Sequence, residues 1–345
     1  MAWPTPIYSK SKVNKAGKIL VNLDDHLDDF MWAFDVVNNW RACHGYPINT
    51  FQATLRQKLK NIDSKALVAQ RMKRMPSIVS KLRRIDGMQL ARMQDIGGLR
   101  AVVSTLKKVR QLRENYEKSR FAHIFFKSKD YIASPKQSGY RSIHLVYKYK
   151  NKNNPAYDGL FVELQIRTRM QHAWATAVET MGTFLNHSLK SSEGPKDWLD
   201  FFSLAGSAFA YHEGTPPVPG YDTFSQYETV KMMKEEAQRL KIKNKLRAFS
   251  VAAKHIQSDR KSGSYHLIIL DPTEKIVTVK SFSQKDLYIA SKEYTKIEQS
   301  ITEGASIQTV LVSAGHIDNL RRAYPNFFLD TREFITYMNR IENKI

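Results

Sequence analysis

Apolar residues recur at helical steps through the first eighty-odd positions. Leu27, Phe30, Met31, Phe34 and Val37 share one helix face, and Asp24 or Asp25 can cap its start. A second helix is expected after Thr50, with Phe51, Leu55, Leu59 and Ile62 inward and Arg56, Lys58 and Lys60 elsewhere on its surface. A third helical run reads from Ser64 to Ile85 and should break or restart at Pro76. The period then changes. Gly98 to Ser104, Phe121 to Phe126, Arg141 to Tyr149 and Leu160 to Ile166 read as strands, with a helix over Arg110 to Ser119 and a long helical stretch from Arg169. This order predicts an α/β (α+β) fold, a mixed sheet with helices packed on it.

Gly214 to Gly220, reading GTPPVPG, places three prolines and two glycines in seven residues and cannot continue a helix. It divides the chain into residues 1–213, a linker at 214–222 and a C-terminal region at 223–345. Beyond it, Phe224 to Ile256 reads as one long charged helix. Strands at Tyr265 to Leu270 and Ile276 to Phe282 flank the turn sequence DPTEK. A helical run from Lys285 to Ile301, a strand from Ile307 to Ser313 and a last helix capped by Thr331 complete a small ββαβα unit.

Composition narrows the class. With 42% hydrophobic and 11% aromatic residues the 345-residue chain can bury real cores, which argues against wholesale disorder. No apolar stretch approaches the roughly 18 residues of a membrane span and no signal peptide is evident, so a cytoplasmic protein without membrane contact is expected. Cys43 is the single cysteine, which excludes a disulfide framework or a cysteine-rich zinc site. The formal charge is +21, and residues 51–150 carry 24 basic against 6 acidic side chains, so +18 of it is local. Such a block points to a polyphosphate, a nucleic acid or an anionic surface.

Four features in or beside the basic block carry candidate chemistry. Arg71, Lys73, Ser77 and Lys81, in RxKxxxSIxxK, bring three cations and a hydroxyl near one another, which suits phosphate groups. Asp95 in DIGGLR opens the first strand, and a lone carboxylate among cations suits either a magnesium ion shared with a nucleotide or an ion pair with a neighbour. In the loop from Asp130 to His144, Lys136 and Arg141 supply charge and Tyr140 a ring on which a base could stack. In ELQIRT, alternation sets Glu163, Gln165 and Arg167 on one side of a strand.

In order and spacing these motifs resemble the synthetase domain of the RelA/SpoT alarmone enzymes, over roughly residues 25–190. The resemblance implies transfer of the β,γ-pyrophosphate of ATP, with Mg²⁺, to the 3′-hydroxyl of an acceptor nucleotide. It implies that Arg71 and Arg100 sandwich the adenine and that Lys73, Ser77 and Lys81 hold phosphates. Asp95 would be the metal ligand, and Glu163 would assist the metal and draw the proton from the attacking hydroxyl. Gln165, Lys136 and His144 would complete the site, with Arg141 beside the acceptor and Tyr140 stacked on its base. Positioning and charge neutralisation suffice for such a transfer.

About fifty residues precede the core, and Asp24, Asp25, His26, Asp28 and Asp29 are read as helix-start acids rather than as a remnant of the hydrolase found in the long enzymes. The segment Gln171 to Glu179, followed by Thr183 to His187, and the C-terminal region resemble toxic small synthetases, in particular fused toxin–antitoxin proteins of the CapRel type. That resemblance implies tRNA as acceptor at its CCA end, a block of translation, restraint by the C-terminal region and release by a phage protein in antiviral defence. Lys107, Lys108, Lys118, Lys127 and Lys129 are then candidates for tRNA docking. Tyr324, Phe327, Phe328, Phe334 and Tyr337 look exposed, and Phe334 with Tyr337 is the pair expected to enter the ATP site, although such spacing also suits a core stripe. Alarmone synthesis on GDP, GTP or an adenosine nucleotide shares every one of these catalytic residues. A nucleic-acid-binding module with a dead site fits the charge but gives Asp95 and Glu163 no purpose.

Overall fold

The computed structural model describes the chain except residues 1–2, 23–26, 186, 188, 190–191, 253–254, 259–262, 275, 301–306, 314–316 and 345. Asp24, Asp25, His26 and Asn186 therefore lie outside the described residues. Three helices come first, α1 (Lys10–Val21), α2 (Phe30–Cys43) and α3 (Gly45–Ile62). They are followed by β1 (Leu67–Met72), α4 (Met75–Arg84), β2 (Gly97–Val103), α5 (Leu106–Glu117), β3 (Ile124–Asp130), β4 (Ile143–Lys148) and β5 (Phe161–Thr168). Two long helices, α6 (Arg169–Leu185) and α7 (Lys196–Glu213), close this half.

The C-terminal region adds α8 (Gln226–Arg239), α9 (Ile242–Ala252), β6 (His255–Ser258), β7 (Tyr265–Asp271), β8 (Ile276–Phe282), α10 (Leu287–Ser300), β9 (Gln308–Ser313), α11 (Ile317–Ala323) and α12 (Arg332–Glu342). All strands among the described residues join one sheet of order β3-β4-β5-β2-β1-β9-β7-β8-β6. Strand β9 pairs antiparallel with β1, with Arg71 opposite Val312, so the C-terminal region extends the sheet of the first half. The no-span expectation agrees with the helices: among the described residues none is long and apolar enough to cross a membrane.

The third helical run is corrected. Residues 67–72 form a strand, because both edges of LVAQRM find partners, β2 on one side and β9 on the other. Two ladders outweigh a helical spacing of side chains. Pro76 sits in the first turn of α4, where its missing N–H costs nothing, and so starts the helix. Phe224 to Ile256 is likewise two helices and a strand. Ser225 and Glu228 form a capping box on α8, and Lys241, at φ +53°, breaks the path before α9.

GTPPVPG ends α7 as its composition requires, with Gly214 in the left-handed region at φ +66°. It then folds back on the helix: Thr215 and Val218 are buried, and Val218 donates its N–H to Ser207. The aromatics expected at the surface are core residues. Tyr324, Phe327, Phe328 and Phe334 are all under 5% exposed, and only Tyr337 is half-buried. Phe334 and Tyr337 pack on Phe209 of α7, which is the core-stripe alternative.

A buried ion pair ties the two halves. Arg41 of α2 donates to Glu298 of α10 at 2.7 Å, to the Tyr294 hydroxyl at 2.9 Å and to the Lys73 carbonyl at 3.0 Å. The other Glu298 oxygen accepts the Met75 N–H that opens α4. Glu298→Ala leaves Arg41 charged and buried without its counter-ion, so unfolding in denaturant should show a loss of about 3 kcal/mol. A loss below about 1 kcal/mol would show that the pair does not fasten the halves.

Candidate active site

The register of the sheet assembles the site. Arg71 lies opposite Gly98, and Gly98 opposite Glu163; one step along, Ala69, Arg100, Gln165, His144 and Lys129 form a second row. Directly paired residues project to the same face, so the two arginines, Glu163, Gln165 and His144 share one surface. Leu99, Ala101, Leu164 and Ile166 take the opposite face and join the core around α3 and α5. The alternation read from ELQIRT therefore holds, and strand β1 brings Arg71 to the same face as Arg100.

Asp95 precedes β2 and accepts from Lys73 at 2.9 Å and Lys81 at 2.8 Å, one lysine on each carboxylate oxygen. Burial alone would raise this carboxyl, but the two ammonium charges outweigh it and hold it well below the usual carboxylate range. Burial lowers Lys73, with Asp95 opposing. Ser77 and Lys81 stand one turn apart on α4, so strand β1, its exit and α4 deliver the whole RxKxxxSIxxK set, not a single helix.

Glu163 is the second carboxylate. It accepts from His144 Nδ1 at 2.9 Å and from Gln165 Nε2 at 2.8 Å, and His144 Nε2 meets the Tyr140 hydroxyl at 2.8 Å. Burial would raise the Glu163 carboxyl, yet the neighbouring His144 and the two hydrogen bonds bring it below its ordinary value. With Glu163 ionised, the hydrogen bond requires a proton on His144 Nδ1.

The loop from Asp130 to His144 is held by close packing. Gly139, at φ +89°, lies so near Phe202 and Trp174 that a Cβ there would sit 2.7 Å from the Phe202 carbonyl oxygen and 2.8 Å from the Trp174 ring. Trp174 itself donates to the Phe202 carbonyl at 2.9 Å, so this residue of the Gln171 to Glu179 segment joins α6 to α7. Lys136 lies 4.6 Å from the Tyr131 ring centre and 5.3 Å from that of Tyr140. Tyr140 is buried, and the half-buried Tyr131 ring lies outside it.

Not every expected residue reaches the site. Arg141 is buried and pairs with Glu213 at 2.7 Å and with Thr215 at 3.3 Å, anchoring the turn after α7. Arg141 precedes β4, and its guanidinium is taken up by Glu213 at the end of α7, away from His144. Phe334 and Tyr337 lie on α12 against α7 and do not line the pocket. The lysines divide. Lys127 and Lys129 fall on the catalytic face of β3, whereas Lys107 and Lys108 belong to α5, which packs on the other face, and Lys118 caps its C-terminal end. Lys108 and Lys118 are further engaged by Asp63 and Glu114.

Other residues enter unannounced. Tyr324, just after α11, donates its hydroxyl to the Gln70 carbonyl and lines the pocket formed with Arg71, Asp95, Arg100, Glu163 and Gln165. The space left there is about 40 Å³. That holds a water molecule, whose share of liquid volume is about 30 Å³. Arg167, fully buried, bonds to His172, whose other nitrogen meets the Arg322 carbonyl, so the QHAWA segment also contacts the chain beside Tyr324. At the sheet edge Lys148 lies over the rings of Phe126 and Phe161, at 4.9 and 5.7 Å. The Tyr324 contact spans 254 positions, and no local pattern points to it.

Residues 70–184 match the domain described as the region found in RelA / SpoT proteins. The chain is 30% identical over 150 residues to GTP pyrophosphokinase YwaC of Bacillus subtilis (strain 168), covering 41% of this chain and 67% of that protein. The chain belongs to the RelA/SpoT family. It is also 37% identical over 112 residues to GTP pyrophosphokinase YjbM of the same organism, covering 32% of this chain and about half (52%) of that relative's length. Among solved structures, small alarmone synthetase 1 from Bacillus subtilis aligns with a TM-score of 0.43 at 26% identity, over 52% of this chain and 93% of that one. Small alarmone synthetase 2 aligns with a TM-score of 0.42 at 24% identity, over 54% and 95%.

Proposed function

We propose that this protein is an ATP-dependent pyrophosphotransferase whose acceptor is the 3′-hydroxyl at the CCA end of tRNA, and that its C-terminal region restrains it. The observation that carries the chemistry is the convergence of Asp95, Glu163, Arg71 and Arg100 on one pocket, with Lys73 and Lys81 paired to Asp95 at its side. The acceptor oxygen attacks the β-phosphorus of ATP while the bond from that phosphorus to the oxygen shared with the α-phosphate breaks, and AMP leaves. Glu163, held ionised, takes the hydroxyl proton; His144 and Gln165 fix its carboxylate. Lys73 and Lys81 turn from Asp95 to the phosphates, and Arg71 and Arg100 flank the adenine.

Two carboxylates in one pocket fit a magnesium ion, which takes one or two carboxylates and completes its shell with phosphate oxygens and water. Asp95 and Glu163 would hold it, and when bound it supplies charge neutralisation to the transferring group. Among the described residues no cluster of three or more metal-binding side chains exists, so the nucleotide itself must complete the site.

A tRNA acceptor is favoured over a free nucleotide by the sheet edge. Lys127, Lys129, Lys148, Phe126 and Phe161 continue from the catalytic residues along β3–β5, and rings interleaved with cations suit an unpaired strand. Phe126 is 43% exposed, so part of its ring faces solvent. With labelled ATP, deacylated tRNA should be labelled in preference to GDP, GTP or AMP, and Phe126→Ala should lower tRNA labelling about tenfold. Labelling of GDP or GTP alone would replace this acceptor by the alarmone reading.

Restraint is supported by Tyr324. A pocket for a nucleotide-sized ligand measures about 300–1,000 Å³, against the 40 Å³ left beside this ring. A phage protein that draws the C-terminal region off β1 would open the site, which is the antiviral trigger this reading calls for.

A further inference from the structure

Strand β1 borders two spaces, and Gln70 and Arg71 line both. On the catalytic face the Gln70 carbonyl receives the Tyr324 hydroxyl. The Gln70 side chain lies opposite Leu99 in the ladder and so points to the other face, where Leu99 joins the core. A cavity of about 730 Å³ lies there. Ile48 and Met72 of the first half form one wall, and Tyr265 and Leu311 of the C-terminal region form the other. Among the described lining residues the only charges are Arg71 and Lys285, both cations.

We propose that this cavity is an effector site for a small amphipathic anion, with an apolar body against the walls and an anionic end for Lys285. The volume suits a ligand of that size, and Lys285 with Arg71 supplies the positive charge that selects an anion. The cavity has both walls only while β9 is paired with β1, so a ligand there favours the docked arrangement. Docking also seats Tyr324 in the catalytic pocket. The ligand therefore inhibits, and by linkage nucleotide and effector weaken each other by the same factor. This regulatory consequence rests on the nucleotide reading of the catalytic pocket; the binding site does not.

A direct probe is 8-anilinonaphthalene-1-sulfonate, which combines aromatic rings, one N–H and a sulfonate. The full-length chain should bind it at one saturable site and quench Trp3, which lines the cavity, so that Trp3→Phe removes that share of the quenching. Ser291→Trp and Ala42→Trp fill the cavity from opposite walls, and each should abolish the site. Saturating probe should lower the affinity for a non-hydrolysable ATP analogue several-fold in the wild type and leave it unchanged in Ser291→Trp. Probe binding that never saturates, survives both fillings, or leaves the analogue's affinity unchanged overturns the proposal. If the analogue binds neither the wild type nor Tyr324→Ala, the nucleotide reading fails instead, while saturable binding sensitive to filling still supports the ligand site.

Discussion

Glu163→Gln should reduce transfer from ATP by about 10³-fold while an ATP analogue binds with nearly unchanged affinity. The amide keeps the size of the side chain but cannot take the acceptor proton, and it brings the wrong charge to a metal. Its environment explains why it matters. Gln165 and His144 both donate to the carboxylate, and together they keep it ionised despite burial. Asp95→Asn should be comparably inactive for a different reason, since it removes the counter-charge to Lys73 and Lys81. Single-turnover transfer with labelled ATP reads both, and a loss smaller than about tenfold in Glu163→Gln would assign the base elsewhere.

Tyr324→Ala should raise affinity for the ATP analogue, and with it transfer activity, by at least about tenfold. Removing a buried aromatic side chain weakens its docked segment by about 3–5 kcal/mol, and each 1.4 kcal/mol is a factor of ten in the closed-to-open balance. Tyr324→Phe removes only the hydrogen bond to Gln70, worth about 1 kcal/mol, and should raise affinity roughly fivefold. Tyr337→Phe, on α12 against Phe209, should leave it unchanged. Isothermal titration orders the three variants, and equal affinities throughout would show that Tyr324 does not restrain the site. Cutting the chain at residue 213, the boundary read from GTPPVPG, is a poorer test of restraint. Phe202 and Phe209 pack against Phe334, and Ala69 of β1 belongs to the core of the C-terminal strands, so the cut would bare both surfaces.

Glu298 and Tyr324 hold opposite ends of the same docked region. The first meets the start of α4, which carries Ser77 and Lys81; the second meets β1, which carries Arg71. Partner binding that disturbs either contact reaches residues assigned to ATP, so two-state docking is a sufficient basis for regulation.

The residues most legible in the chain are those whose spacing is local. RxKxxxSIxxK, the Asp95 turn, the loop around Tyr140 and ELQIRT each span fewer residues than one supersecondary unit, and a strand's alternation alone places Glu163 with Gln165. Side-chain chemistry and a period of two or four suffice for such reading. The same local logic misread residues 67–72 as helix, because their partners on β2 and β9 lie elsewhere in the chain. It left Arg141 among the acceptor residues because nothing nearby reveals Glu213. Tyr324, the Arg41–Glu298 pair and the cavity behind Gln70 were decided by the tertiary structure alone. Contacts between residues 254 and 257 positions apart leave no periodic trace; they arise when a sheet edge that must be paired finds β9, and a buried charge finds its counter-ion.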